Sequence, residues 1–247
     1  MWKRTAKGLT FTFHLAGINN QNFLMRDDQT GSFWQQISGR AISGPLAGTQ
    51  LDPVRSDELT FALWRREYPG GTVLKPVRKF AGEYESKNWE TRMVRAPTVV
   101  TVDSLGPKAR ELVLGVEAFG ASRAYPVSRI LSEKLIQDQI GSEPVLVAVA
   151  PDGKSIRVFH ARLKEGEPAP DFYRRTDISA VATATAELPI FFDSVTLSEW
   201  NFNGCAVSGR MTGACLAEVR AIKDYWFDWQ TYHPQTSLFG KRIGPRK

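Results

Sequence analysis

Short apolar stretches separated by turn-forming residues run through most of the chain, and sustained helical periodicity is rare. Leu9 to Leu15 is apolar and aromatic-rich with partial alternation, which predicts a strand. Asn22 to Met25 predicts a second strand, closed by the turn formers Asp27, Asp28, Thr30 and Gly31. Gly39, Gly44 and Gly48 punctuate short strands or tight loops beyond it. Ser56, Asp57 and Glu58 read as a helix cap with acidic first-turn residues. Leu59, Leu63 and Trp64 share one face of that helix, which stops at Pro69, Gly70 and Gly71. Residues 76–110 hold Pro76, Pro97 and Pro107 and are predicted to be an irregular crossing. Glu111 to Ala118 and Ser122 to Val127 predict a hairpin around Phe119 and Gly120. Ser128 then caps a short helix to about Ile136. Pro144 to Ala150 predicts a buried strand that turns at Asp152 and Gly153 into Ser155 to Phe159.

The pattern occurs twice. Gly39-Arg-Ala-Ile-Ser-Gly44 is echoed by Gly204-Cys-Ala-Val-Ser-Gly209 at an offset of 165 residues. At that offset Gly48 meets Gly213, Leu51 meets Leu216, Trp64 meets Trp229 and Pro69 meets Pro234, while Tyr68 falls opposite His233. With one residue of slippage, Asp27, Thr30, Ser32 and Trp34 match Asp193, Thr196, Ser198 and Trp200. The second copy then predicts a helix carrying Ile222, Tyr225, Trp226 and Trp229. The fold class expected is mainly β with a few short helices: an internally duplicated, two-lobe architecture with pseudo-two-fold symmetry. Its parts would be a first lobe over 1–75, a connecting hairpin and helix over 76–143, and a second lobe with a basic tail over 144–247. Trp34 and Trp200 should be equivalently buried, as should Trp64 and Trp229.

Composition narrows the function classes. The chain has 247 residues, 42% hydrophobic and 23% charged, which is ordinary globular usage. The longest apolar run, Val145 to Ala150, is far short of a membrane span, and Met1 to Arg4 has no apolar stretch behind it to make a signal peptide. The net charge of +6 is spread along the chain, with one local cluster at Lys241, Arg242, Arg246 and Lys247. That distribution disfavours nucleic acid as a partner. Cys205 and Cys215 fit one disulfide or two free thiols equally well.

Phosphate-loop, dinucleotide, zinc-protease and serine-hydrolase signatures are all missing from the sequence. His14, His160 and His233 are scattered, so no metal site is assigned and no cofactor is implied. Asp27 and Asp193 could serve as acid–base groups with His233, and Trp34 and Trp200 could floor two related pockets. Alternatively each Asp bonds its own turn and each Trp plugs a core. Glu117, Arg123, Tyr125 and Asp138 could line a polar cleft between the lobes, Arg123 recognising an anion, or Glu117 and Arg123 could form a cross-strand pair.

The run Gly115-Val-Glu117-Ala-Phe-Gly-Ala-Ser-Arg123-Ala-Tyr125-Pro126, then Ile136-Gln-Asp138-Gln-Ile-Gly141, then Pro144-Val145, resembles the bacterial family catalogued as domain of unknown function 3179. Trp34-Gln-Gln-Ile-Ser-Gly-Arg-Ala-Ile-Ser-Gly-Pro-Leu-Ala-Gly48 and Asp224-Tyr-Trp-Phe-Asp-Trp-Gln-Thr-Tyr-His233-Pro234 carry the same resemblance. It implies kinship over nearly the whole chain and no particular reaction. It also implies a Cys-Pro-x-Cys motif where this chain has Ala150-Pro151-Asp152-Gly153, so thiol chemistry is not expected here. The first copy lacks a strand equivalent to Val145–Ala150, which suggests a longer natural N-terminus. Exported relatives would make an extracytoplasmic location consistent with it. The leading functional expectation is a binding protein for a small polar or anionic ligand. An acid–base or metal-assisted hydrolase, or an interaction protein without a small-molecule site, are the alternatives, and nothing in the sequence fixes an oligomeric state.

Overall fold

A computed structural model describes residues 1–19, 22–84, 86, 88–98, 100, 106–175 and 188–240. The tail cluster Lys241, Arg242, Arg246 and Lys247 lies outside them. The chain opens with the small pair β1 (Thr5–Ala6) and β2 (Leu9–Thr10). An antiparallel meander follows, with β3 (Phe13–Asn19), β4 (Asn22–Asp27), β5 (Phe33–Gln35) and β6 (Ala41–Ser43) hydrogen-bonded in sequential order. The stretch expected as one strand from Leu9 to Leu15 is thus broken at Phe11 and Thr12, where the Phe11 N–H bonds the Arg4 carbonyl and its ring turns into the core.

Helix α1 spans Phe61–Glu67. Its cap is Thr60, whose side chain accepts from the Leu63 N–H, and not Ser56 as expected. Asp57 and Glu58 stand before the helix and are used as ion-pair partners of Arg157 and Lys223. Among its described residues the crossing that follows is irregular as predicted, apart from a 3-10 turn at Arg78–Phe80 and α2 (Trp89–Met93). The predicted hairpin is present as β7 (Leu112–Ala118) and β8 (Ala121–Pro126), turning through positive φ at Phe119 and Gly120. Helix α3 (Val127–Glu133) ends earlier than expected. Lys134 adopts the left-handed conformation, and Ile136 enters β9 (Leu135–Ile140) as a core residue.

β10 (Glu143–Val149) and β11 (Ile156–His160) pair as predicted through the Asp152–Gly153 turn. There, where thiols were implied by resemblance, Asp152 accepts from Thr60 Oγ1 at 2.7 Å and Ser155 Oγ at 2.6 Å. A second meander joins β12 (Phe172–Arg174), β13 (Pro189–Asp193), β14 (Glu199–Asn201) and β15 (Ala206–Ser208), again in sequential order. The remaining elements are β16 (Glu218–Val219), β17 (Ala221–Tyr225), α4 (Trp226–Tyr232) and β18 (Ser237–Leu238). Ile222 and Tyr225, expected on the last helix, lie in β17 instead, because that stretch pairs as the edge of the sheet β17-β7-β8-β18.

Among the described residues the fold is mainly β with four short helices, and it divides into two compact units whose membership crosses sequence order. One unit holds residues 1–56, 96–111 and 224–235; the other holds 57–95, 112–223 and 236–247. The core of the first gathers Phe11, Trp34, Ala41 and Leu51 around an aromatic cluster, with Phe11 and Phe13 rings 5.3 and 5.7 Å from Trp34. The second unit has two cores. One joins Leu63 of α1 to Phe172, Phe191, Trp200 and Phe202, and the other joins β7 to β11 through Val116, Tyr125, Ile136 and Val147. Helix α1 is held there by Arg157, a buried side chain whose guanidinium bonds Asp57 at 2.5 Å, Glu67 at 2.7 Å and Asn203 at 2.5 Å.

Gly39 and Gly204 illustrate why the turns demand glycine. Both have positive φ, and a Cβ at either would meet an aromatic ring at 2.5 Å, that of Trp2 or of Phe159. Cys205 and Cys215 form a disulfide across an isolated bridge, the position that Arg40 and Gln50 occupy in the first meander. Trp229 is fully buried, but Trp64 is only half-buried and stacks on the exposed Phe61 ring at 5.5 Å, so these two tryptophans are not equivalently covered.

Two outcomes follow from this packing. Arg157→Leu leaves Asp57 and Glu67 without their buried cation and should cost about 3–5 kcal/mol in urea denaturation. Reducing the Cys205–Cys215 bridge, which closes a short loop, should cost about 3 kcal/mol, read as a fall of several degrees in Tm in calorimetry with and without reductant.

Candidate functional site

Asp27 and Asp193, expected as acid–base candidates, are both fully buried beneath a tryptophan. Asp27 Oδ2 accepts from Trp34 Nε1 at 2.8 Å and Thr30 Oγ1 at 2.9 Å, and its Oδ1 accepts the Thr30 N–H at 2.5 Å. Asp193 Oδ2 accepts from Trp200 Nε1 at 3.0 Å and Thr196 Oγ1 at 2.5 Å, and its Oδ1 accepts the Val195 and Thr196 N–H groups. Burial opposes ionisation at both. The indole, hydroxyl and amide donors outweigh it and hold both carboxyls below the usual aspartate range. A carboxylate with its lone pairs engaged this way is a poor proton carrier. His233 caps the C-terminus of α4, its ring stacked on Trp229 at 3.6 Å and its Nδ1 3.1 Å from the Trp229 carbonyl. Trp34 and Trp200 are core plugs.

Three of the four cleft candidates come together. Arg123 on β8 forms a forked ion pair with Asp138 on β9 and bonds Ser237 Oγ at 3.1 Å, with its guanidinium 5.9 Å from the Tyr125 ring centre. Tyr125 is buried, and desolvation together with the Asp138 charge pushes its hydroxyl up. Glu117 does not join them. It pairs opposite Ser122, whereas Arg123 pairs opposite Val116, so the two side chains lie on opposite faces of the hairpin. Glu117 is exposed and faces the Arg220 charge. No cross-strand Glu117–Arg123 pair is made, because one residue of register separates them.

A second pair of aspartates, not singled out from the sequence, has the opposite chemistry. Asp224 is the last residue but one of β17 and Asp228 sits in the first turn of α4, where a carboxylate is favoured by the helix dipole. The spacing of four residues across the strand-to-helix junction brings the carboxyls close enough for the charge of Asp228 to act on Asp224. Desolvation and then the neighbouring Asp228 charge push Asp224 up to about 7, and burial raises Asp228 as well. Asn22 Nδ2 donates to Asp228 Oδ2 at 3.0 Å, and the Tyr225 N–H donates to Asp224 Oδ1 at 2.7 Å. Asp228 Oδ1 and Asn22 Oδ1 are buried with no donor reaching them. Tyr232, one turn along α4, spends its hydroxyl on the Asn19 carbonyl at 2.8 Å, and burial beside the two aspartates pushes it up to about 12. The sequence signal was an Asp-x-x-x-Asp spacing inside the stretch Asp224 to His233.

Among the described residues, no group of three or more His, Cys, Asp and Glu side chains could hold a metal ion, and no helix is long and apolar enough to cross a membrane. The family model described as "Protein of unknown function (DUF3179)" matches residues 1–236. The chain belongs to this family. No curated protein and no solved structure matches it. Membership therefore establishes kinship across both units, and the chemistry has to be read from the side chains.

The raised aspartate has a thermodynamic signature. Unfolding returns Asp224 to its ordinary value of 3.8, so between about pH 4 and pH 7 the folded state holds a proton that the unfolded state has lost. Stability contributed by this group is therefore full below pH 4 and falls steadily up to about pH 7. Asp224→Asn should flatten that slope while leaving the acid-side loss from Asp27 and Asp193. Denaturant melts at half-unit pH steps would show it, and an unchanged slope between pH 4 and 7 would place the proton elsewhere.

Proposed function

We propose that the protein is a binding protein whose site is the Asp224–Asp228 pair with Asn22, and that its ligand presents a protonated amine. The observation that carries this reading is the surplus of buried acceptors: Asp228 Oδ1 and Asn22 Oδ1 lack donors beside the carboxyl of Asp224. A buried acceptor left without a donor costs about 1–3 kcal/mol. A primary ammonium supplies three donors and no acceptor, and its charge replaces the proton that the raised Asp224 holds. The Arg123 cluster supports an anionic ligand less well, because Asp138 already occupies its guanidinium fork.

Calorimetric titration with putrescine and ethylammonium tests the reading. Binding should tighten above pH 7 with release of a proton, and Asp228→Asn should weaken it at least ten-fold. Equal binding by the variant would refute the assignment, and binding of Mg²⁺ or Ca²⁺ with no response to amines would replace the ammonium by a hard cation. A second reading rests on the position of Asp224 near neutrality. A carboxyl titrating there can pass a proton to and from water as a hydrolase does, and a bell-shaped rate profile lost in Asp224→Asn would favour it.

The two meanders are, in this reading, copies of one ancestral unit that serve as scaffold. Support comes from bonds repeated at matching positions. The Leu46 N–H bonds Ser32 Oγ as the Met211 N–H bonds Ser198 Oγ. Gly48 bonds the Ala41 carbonyl as Gly213 bonds that of Ala206. Helices α1 and α4 start 165 residues apart, and their C-caps, Tyr68 and His233, share φ and ψ within one degree. Asp27 and Asp193 then belong to the scaffold and Asp224 and Asp228, which occur in one copy only, to the function.

A further inference from the structure

From Tyr68 to Arg92 every described residue is exposed, although the stretch contains Val73, Leu74, Val77, Phe80, Tyr84 and Trp89. Leu74 is 99% exposed, and the three aromatic residues Phe80, Tyr84 and Trp89 each leave more than two-fifths of their surface in water. A loop kept only as a connection has no reason to carry so much uncovered apolar surface. Three of these side chains are also held close together. The Val77 N–H donates to the Tyr84 hydroxyl at 2.8 Å, and the Val77 and Phe80 carbonyls accept from the Phe80 and Glu83 N–H groups. Val77, Phe80 and Tyr84 therefore share one compact turn. Around it stand Lys75, Arg78, Lys79, Arg92 and Arg95, against Glu83 and Glu90 among the described residues of 73–95. Lys79 lies 4.7 Å over the Phe80 ring, so even the cations run beside the aromatic surface.

We propose that the described residues of the stretches 73–84 and 88–95 form a membrane-surface binding element, with Lys75, Arg78 and Lys79 on anionic lipid headgroups and Leu74, Phe80 and Trp89 in the headgroup–acyl boundary. Charge complementarity selects an anionic partner. The mixture of side chains selects a bilayer over a nucleic acid: aromatic rings and cations alone would suit stacked bases, but Val73, Leu74 and Val77 gain nothing from them and gain directly from acyl chains. The backbone bonds at Val77, Phe80 and Glu83 that shape this turn are local. It therefore needs no shaped partner to dock, and a fluid surface accommodates it. The element is independent of the Asp224–Asp228 site and belongs to the other unit.

Co-sedimentation of the full chain with vesicles is the test. Vesicles of phosphatidylcholine with one-third phosphatidylglycerol should bind it, and vesicles of phosphatidylcholine alone should not. Raising the salt from 0.05 to about 0.5 M should release it, because headgroup contacts are screened over a Debye length. The variant Leu74→Ser, Phe80→Ser, Trp89→Ser should lose at least ten-fold in vesicle affinity, as should Lys75→Glu with Lys79→Glu. All five side chains are exposed, so both variants should keep the wild-type melting temperature, which confirms that lost binding is not lost folding. Equal binding to neutral vesicles, failure to bind either kind, or retention of binding by both variants would each overturn the proposal. So would tighter binding to a single-stranded oligonucleotide than to the anionic vesicles.

Discussion

Burying a carboxylate is expensive unless donors surround it, and both meanders are built around one that is surrounded. Asp27 collects an indole N–H, a threonine hydroxyl and a turn amide, and Asp193 collects the same kinds plus one more amide. Each donor belongs to a different part of the local fold. The indole comes from the next strand and plugs the core, and the threonine and amide come from the turn between the strands. Each Ser, bonded to that Thr, accepts an N–H from the loop beyond the following strand. One ionised group thus sets the turn, the strand register and the loop together. The tryptophan can be buried because its N–H is satisfied, and the aspartate can be buried because the tryptophan satisfies it. Neither would be tolerated alone.

The helices depend on a different buried charge. Helix α1 follows the first meander in sequence but belongs to the unit that contains the second, where Leu63 enters the core and Arg157 bonds both Asp57 before the helix and Glu67 at its end. A helix of seven residues has too few internal bonds to persist on its own. Its formation rests on that clamp and on the Thr60 cap, which is itself tied to the Asp152 turn. Helix α4 follows the second meander and belongs to the unit of the first, held by Asn22 to Asp228 and by Tyr232 to Asn19. Meanders close on their own aspartate, whereas helices are recruited by polar bonds to distant sequence.

That distinction explains what could be read in the sequence. The Asp-x-x-Thr-x-Ser-x-Trp spacing was legible because every partner lies within eight residues, so the local pattern contains the interaction. The hairpin at Phe119–Gly120 and the turn at Asp152–Gly153 were legible for the same reason. The helix boundaries were not. Ser56 resembles a cap, but Arg157, about a hundred residues away, draws Asp57 out of the helix, and the sheet edge draws Ile222 and Tyr225 into a strand. The Glu117–Arg123 pairing failed on register, which composition does not reveal. Arg123 and Asp138 did meet, although β8 and β9 belong to different sheets, so the contact is between sheets and not a cross-strand pair. The Asp224–Asp228 pair was hidden because an acid at the start of a helix usually reads as a cap or first-turn residue. Its meaning comes from Asn22, some two hundred residues earlier.

The contrast between the two kinds of buried aspartate bears most directly on function. Asp27 and Asp193 are sealed from solvent, yet both are held below the ordinary range, because their donors stabilise the ionised form. Asp224 and Asp228 are both raised, first by desolvation that their few donors do not offset, to which the Asp228 charge adds at Asp224. Burial alone therefore does not separate structural from chemical carboxylates; the count of donors does. Where donors are complete, no buried lone pair is left for a ligand to satisfy. Where acceptors outnumber donors, folding leaves a deficit that a proton meets at low pH and a donor-bearing ligand can meet above neutrality. A site of this kind costs stability in the free protein. Such a cost is accepted in a fold when something outside the chain can remove it, which is the physical reason to look for chemistry at Asp224 and Asp228 and not at the donor-saturated aspartates of the two meanders.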